Sequence, residues 1–241
     1  MANRRGFFRA AAQAGGAIIV AHVPLAAHAQ EGGKEVSATE DLMREHGVLR
    51  RALLIYEAAA ERLLQERGPV PATVLARTGK LFRSFGEDYH ERRLEEKIIF
   101  PAVRKLKGPV ARYPDILEKQ HDRGRALTDY VIETTRRGRI DPLSAKPLGR
   151  ALHQFAIMYA HHAAREDTEV FTAWKDSLSA SAFKEMGEQF EHIERQVFGH
   201  DGFEDAARHI AELEGEMGLS DLAAFTVDVP PTAGGRKNLR G

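Results

Sequence analysis

The chain has 241 residues, 43% hydrophobic and 29% charged, with 35 basic and 35 acidic side chains and no cysteine. This is the composition of a soluble globular protein long enough for one large domain or two small ones, and it excludes a disordered or collagen-like chain. The missing cysteines exclude a disulfide framework, a thiolate metal site and a cysteine nucleophile, and the balanced charge offers nothing to nucleic acid or an anionic membrane. The unusual number is the histidine count, 11. Any metal site has to be built from His, Asp and Glu.

Residues 1–29 read as a targeting segment. A basic start (Arg4, Arg5, Arg9) precedes an apolar Ala/Gly-rich stretch and a small-x-small site at Ala27-His28-Ala29, so cleavage is expected between Ala29 and Gln30. Asn3-Arg4-Arg5-Gly6-Phe7-Phe8-Arg9 resembles the twin-arginine export motif, with Asn3 where Ser or Thr is usual. That resemblance implies export after folding and a periplasmic mature protein. The rival reading is a retained anchor, since about 20 uncharged residues reach across a bilayer. Gln13, His22, Pro24 and His28 make the stretch weakly apolar for that purpose, so no stable membrane insertion is expected once the signal is removed.

Residues 30–38 are a polar, Gly-containing lead-in. Helical periodicity follows nearly throughout, and no stretch alternates as a half-buried strand would. The first helix runs from about Thr39 to Arg67. It presents Leu42, Leu49, Leu53, Tyr56, Ala60 and Leu63, with His46 filling the gap in the stripe. The second runs from about Ala72 to Lys107 with Val74, Leu81, Phe82, Phe85, Tyr89, Ile98, Ile99 and Val103 inward, and Pro101 is placed to kink it. The third runs from about Pro114 to Gly138. Its thin stripe is Leu117, Gly124, Thr128 and Val131, with His121 in the gap. The fourth is opened by Asp141-Pro142 and carries Leu148, Leu152, Phe155, Tyr159, His162 and Glu166 on one face. Short connections make residues 39–176 an up-down, all-α four-helix bundle. Two further amphipathic helices, 179–199 and 203–217, form a C-terminal extension over 177–226, and 227–241 is expected to be a disordered tail. Those last helices either cap the bundle or pair between chains, which leaves the oligomeric state open.

His90, Glu95, Glu96 and Phe100 recur 71 residues later as His161, Glu166, Asp167 and Phe171, so the bundle reads as two copies of a helix pair. His46 and His121 stand 75 apart on the first helix of each pair. A single inward histidine is usually a hydrogen-bonded core residue. Four helices each contributing one, followed twice by carboxylates, bury too much charge to stand without a partner, and a metal ion supplies it. Imidazole and carboxylate without thiolate fits iron, manganese or zinc. Four His and two carboxylates exceed one tetrahedral zinc and suit two ions bridged by carboxylates.

His46, His90 with Glu95, His121, and His162 with Glu166 resemble the hemerythrin-like, HHE cation-binding family. The phrases that carry the likeness are 40–46 (EDLMREH), 95–101 (EEKIIFP), 118–121 (EKQH) and 162–168 (HAAREDT), and segment 183–226 is similar to the extra helices of some bacterial members. The resemblance implies a four-helix bundle holding two iron ions in a non-haem di-iron centre that binds or reacts with O2. It also implies metal ligation by His46, His90, Glu95, His121, His162 and Glu166, with Glu95 and Glu166 as the bridges. The family spaces its pairs as His-x-x-x-Glu, which keeps both on one helix face. His162 and Glu166 obey this, which favours His162 over His161. His161 stays open as a ligand or an outer partner. His90 and Glu95 are five apart, about 140° around an ideal α-helix, so a π-bulge is expected between them. His153, His192, His200 and His209 read as surface or outer residues, and Trp174 as core at the bundle end.

The leading expectation is a periplasmic di-iron protein that binds or senses a small diatomic or peroxide ligand (O2, peroxide or NO). An apolar lining of Leu49, Leu53, Phe85, Phe155 and Tyr159 would keep water out of the centre. The alternative is a di-iron oxidase, peroxidase or iron-handling protein of ferritin-like chemistry, for which Glu87-x-x-His90 and Glu118-x-x-His121 supply the Glu-x-x-His pattern. A metal-free helical interaction module is the third reading.

Overall fold

The computed structural model describes residues 36–230, and the expected signal, most of the lead-in and the end of the tail lie outside them. Among the described residues all regular structure is helical. Helix α1 spans Ala38–Gln65, α2 Ala72–Leu81, α3 Phe100–Val103, α4 Tyr113–Thr135, α5 Pro142–Arg165, α6 Phe171–Asp176, α7 Ala180–Phe198 and α8 Gly202–Met217. Two π-helical segments, Phe82–Ile99 and Glu166–Val170, join α2 to α3 and α5 to α6 into continuous rods.

The helix ends follow their local chemistry. The Ser37 hydroxyl accepts the Glu40 N–H and Asp141 accepts the Leu143 N–H, so each caps the start of a rod. Gly199 and Gly218 close α7 and α8 in the left-handed conformation (φ 78° and 74°). The second rod is shorter than its periodicity suggests. It stops at Val103, and Gly108, at φ 91°, turns the chain into a short 3-10 turn, Pro109–Arg112, before α4.

Each of the four rods packs mainly against two neighbours, giving the cyclic order α1, α2–α3, α4, α5–α6. His46 and His121 lie in the first half of their rods and His90 and His162 in the second half, yet all four meet in one layer. Successive rods therefore run antiparallel, as the short connections require. The expected stripe of the fourth rod, Leu148 through Glu166, is buried throughout. In the second rod Leu94 turns inward and Ile98 is left partly exposed, because the π geometry rotates the face away from α-helical spacing.

The two C-terminal helices pack on the bundle of their own chain, α8 against α1 and α2, and α7 against α1 and the first π segment. Arg51 grips Glu214 with two guanidinium bonds (2.9 and 2.5 Å), Arg62 donates to the Met217 carbonyl at 2.8 Å, and the Arg44 guanidinium lies 4.0 Å over the Phe203 ring. Trp174 joins bundle to extension. It is buried, stacked on Phe190 at 5.7 Å and edge-on to Phe183 at 6.0 Å. No helix among the described residues is long and apolar enough to cross a membrane.

Replacing Trp174 by Ala removes the largest side chain of this junction. The expected loss is about 3–5 kcal/mol of unfolding free energy, as for other buried Trp-to-Ala changes. Urea unfolding followed by far-UV circular dichroism measures it.

Candidate metal centre

One layer of the bundle holds His46, His90, Glu95, His121, His162 and Glu166, none more than 2% exposed. All six residues singled out in the sequence are brought together. Glu95, His121, His162 and Glu166 each offer a ligand atom within 4.8 Å of the others, and so do His46, His90 and Glu95. Glu95 thus belongs to both groups. Its Oε1 lies 3.3 Å from His90 Nε2 and its Oε2 3.3 Å from His121 Nε2. Glu166 Oε2 lies 2.9 Å from His162 Nε2 and 3.5 Å from His46 Nε2. Each glutamate therefore spans the two histidine pairs.

Within each pair the Nε2 atoms face each other, His46 and His90 at 3.0 Å and His121 and His162 at 3.1 Å. Two nitrogens at a right angle on one ion, each about 2.0–2.1 Å away, would show that separation. All four oxygens of Glu95 and Glu166 are buried without a hydrogen-bond donor. Buried carboxylate oxygens are normally paired, and a cation fits the place of the missing partner. The residues present fit two ions, each with two imidazoles and shared carboxylates.

The Nδ1 atoms face outward, and each is held by the next rod round the bundle. His46 Nδ1–H donates to Asp167 at 2.7 Å, His90 Nδ1–H to Glu45 at 2.5 Å, His121 Nδ1–H to Glu96 at 2.8 Å and His162 Nδ1–H to Gln120 at 3.0 Å. A ring protonated at Nδ1 presents its Nε2 lone pair inward, which is the tautomer a metal ligand needs. Two of the three outer carboxylates have an arginine anchor, Arg50 on Asp167 and Arg125 on Glu96. Phe171 stacks on His46 at 5.5 Å and Phe100 on His121 at 5.6 Å. Glu91 and Glu96 also gather at His121, but Arg125 already supplies the positive charge there.

The π geometry expected between His90 and Glu95 is present, within the longer π segment Phe82–Ile99. The second π segment was not expected. It begins at Glu166, and its closing bond, Phe171 N–H to the Glu166 carbonyl, repeats the Phe100 N–H to Glu95 carbonyl bond of the first. A wide turn thus follows the bridging glutamate in both halves. His161 is exposed and stands outside the centre, so His162 is the fourth histidine.

Without a cation, the centre balances its charge with protons. Burial disfavours a charged His90, but Glu95 and Glu45 outweigh it and hold His90 well above the usual imidazole range. His121 is likewise raised against its burial, by Glu91, Glu95 and Glu96. Burial alone would raise Glu95, but His90 and His121 pull it well below the carboxylate range. Burial, then Glu95, pushes Glu166 well above it. Burial, then His121, lowers His162 to about 3. A metal binding here displaces protons from imidazoles.

The neighbourhood is more polar than the expected apolar lining. Leu49, Leu53, Phe85, Phe155 and Tyr159 are buried as expected. Among them stand Glu87, Glu91, Thr128 and the Tyr56 and Tyr159 hydroxyls, all buried and all with at least one atom lacking a partner. Ordered water satisfies such groups in folded proteins. The Tyr159 ring lies 5.2 Å from His162 and 6.5 Å from His46, one histidine of each pair. Burial, then Glu91, Glu95 and Glu166, holds its phenol protonated as a donor.

Glu45, Gln120, Glu96 and Asp167 drew no role from the sequence, although each is the chain neighbour of a metal-centre residue. Adjacent residues on a helix diverge by about 100°, so each reaches the histidine of the adjoining rod rather than its own. The ferritin-like set does not assemble. Glu118 lies at the surface paired with Arg104 (2.6 Å), and Glu87 pairs with Arg83 (3.1 Å). His153 and His200 pair with Glu57 and Asp205 at the surface, and His192 is exposed.

An antiparallel bundle with paired imidazoles bridged by two buried glutamates is the architecture of a cation-binding helical protein. The chain belongs to the hemerythrin family, since the hemerythrin HHE cation binding domain matches residues 37–174. Uncharacterized proteins of Mycobacterium tuberculosis and Mycobacterium bovis are 41% identical to it over 192 residues, 79% of this chain and 74% of theirs. No solved structure matches the chain.

Glu87 gives a pH test of the polar interior. Burial raises its carboxyl from 4.5 to about 7. Between those values the folded chain keeps a proton that the unfolded chain releases, so its contribution to stability is full below pH 4.5 and is lost as the pH rises through 7. Glu87→Gln removes that loss. Relative to wild type it should gain about 2–3 kcal/mol between pH 4 and pH 8, read from urea midpoints at the two pH values.

Proposed function

We propose that this chain is an exported, periplasmic non-haem di-iron protein that binds or senses dioxygen or a related small ligand. The observation that supports it most is the pair of bridging glutamates whose four buried oxygens have no protein donor. His46 and His90 would hold one iron and His121 and His162 the other, with Glu95 and Glu166 shared between them. The donor set, imidazole and carboxylate without thiolate, suits iron. When bound, an iron pair supplies reducing electrons and an exchangeable coordination position for O2, peroxide or NO.

The chain's own residues do the rest. Asp167, Glu45, Glu96 and Gln120 fix the imidazole orientations through Nδ1, so the four Nε2 atoms stay converged. Phe100 and Phe171 cover two of the rings and exclude water from that side. Tyr159 offers a protonated hydroxyl beside the two pairs, where a ligand oxygen can accept it. That hydroxyl favours ligands with an acceptor oxygen, O2 and peroxide alike. Export rests on the sequence of residues 1–29, and fractionation of cells expressing the full chain tests it.

Iron analysis and visible spectroscopy of the mature protein, reduced anaerobically and then exposed to air, test the main reading. Two irons per chain with absorption that appears on oxygenation and reverses on deoxygenation are expected. A single irreversible oxidation favours the alternative, and a folded chain without iron rejects both. The double variant Glu95→Gln, Glu166→Gln should lose most of its metal. The double variant Glu87→Gln, Glu118→Gln should keep two ions, because neither side chain reaches the centre.

A further inference from the structure

The two halves of the centre correspond closely, except that His90 is answered by His162, one residue out of the 71-residue register. His46, Glu45 and Arg50 in the first half match His121, Gln120 and Arg125 in the second, each 75 residues on. Glu95, Glu96 and Phe100 match Glu166, Asp167 and Phe171, each 71 residues on. The contacts match too. An arginine anchors the carboxylate that holds His46 and another anchors the carboxylate that holds His121. A phenylalanine stacks on each of those histidines.

The correspondence breaks at one position of the outer ring. His90 donates to the carboxylate of Glu45 at 2.5 Å, and His162 donates to the amide of Gln120 at 3.0 Å. Glu45 is fully buried beside the Tyr89 hydroxyl, and no arginine or lysine pairs with it among the described residues. Gln120 is partly exposed. A buried carboxylate accepts a stronger, charge-assisted bond than an amide and makes the donating imidazole a better base toward its other nitrogen.

We infer that the two metal positions are unequal, with the ion between His46 and His90 bound first and more tightly because Glu45 backs His90 where only Gln120 backs His162. This rests on the reading of the layer as a two-ion centre. Glu45 and Gln120 are positioning residues that act through their histidines. Changing an outer partner of a metal-bound histidine typically alters affinity 10–100-fold, so the two steps should differ by at least about tenfold.

The test is an anaerobic titration of the metal-free full chain with Co(II), followed by calorimetry and by the cobalt visible bands. Wild type should load in two resolved steps of one ion each. Glu45→Gln should weaken the first step by about 10–100-fold and merge it with the second. Gln120→Glu should tighten the second step and leave the first unchanged. His90→Ala should abolish the tight step and His162→Ala the weak one. Two equivalent ions in wild type, equal weakening of both steps by Glu45→Gln, or the reverse assignment from the histidine variants overturns the inference. Circular dichroism of each variant separates these results from misfolding, and Gln120→Glu tests the idea by a gain of affinity. A wild-type chain that takes up no ion rejects the metal-centre reading itself.

Discussion

Two glutamates and four histidines share one fully buried layer, and none of the bridging oxygens has a protein donor. An unbalanced charge in a protein interior carries a penalty of several kcal/mol, so this layer is tolerable only with compensating positive charge, from protons or from metal. Much of the surrounding bundle serves that requirement. The rods alternate in direction, so that the first halves of two and the second halves of the other two meet at one level. The outer ring of Asp167, Glu45, Glu96 and Gln120 then locks each imidazole from the neighbouring rod. The ring closes the bundle as well as orienting the ligands, since every link in it crosses a helix interface.

The π segments solve a geometric problem that α-helices alone leave open. In an α-helix, His90 and Glu95 diverge by about 140°. The π segment from Phe82 to Ile99 returns them to one side, and its last turn is repeated at Glu166. π turns interrupt regular hydrogen bonding and are found mostly at functional sites, so two such turns directly after the two bridging glutamates tie the irregular backbone to the centre. The same turns carry Phe100 and Phe171 onto the rings of His121 and His46. Backbone register and ring packing are therefore one feature, present twice.

The C-terminal helices lie on the side of α1 and the second rod, which carry His46, His90 and Glu45. Their arginine-carboxylate pairs and the Trp174 stack hold that side of the bundle together. On the other side of the centre the interior is polar, with Glu87, Glu91, Arg125 and Thr128 between the second rod and α4. Duplicated helix pairs thus surround a centre whose two flanks differ, one closed by added helices and one furnished with buried charge.

The helical class, the four rods and the six inward His and Glu residues can be read from the order of amino acids alone. Inward histidines stand out because they fill gaps in otherwise apolar stripes, and the 71- and 75-residue repeats mark the duplication. The five-residue step from His90 to Glu95 even announced a wide turn. The second wide turn, after Glu166, left no such mark, because His162 and Glu166 keep ordinary α-helical spacing. The outer ring was equally hidden. Glu45, Gln120, Glu96 and Asp167 sit beside ligands in the chain but point about 100° away from them, and their partners lie on other rods. Which histidine a side chain meets across an interface depends on helix rotation and neighbour order. Those are properties of the packed bundle, and it is the packing that sets Glu45 behind His90, Gln120 behind His162, and polar groups rather than an unbroken apolar wall around the centre.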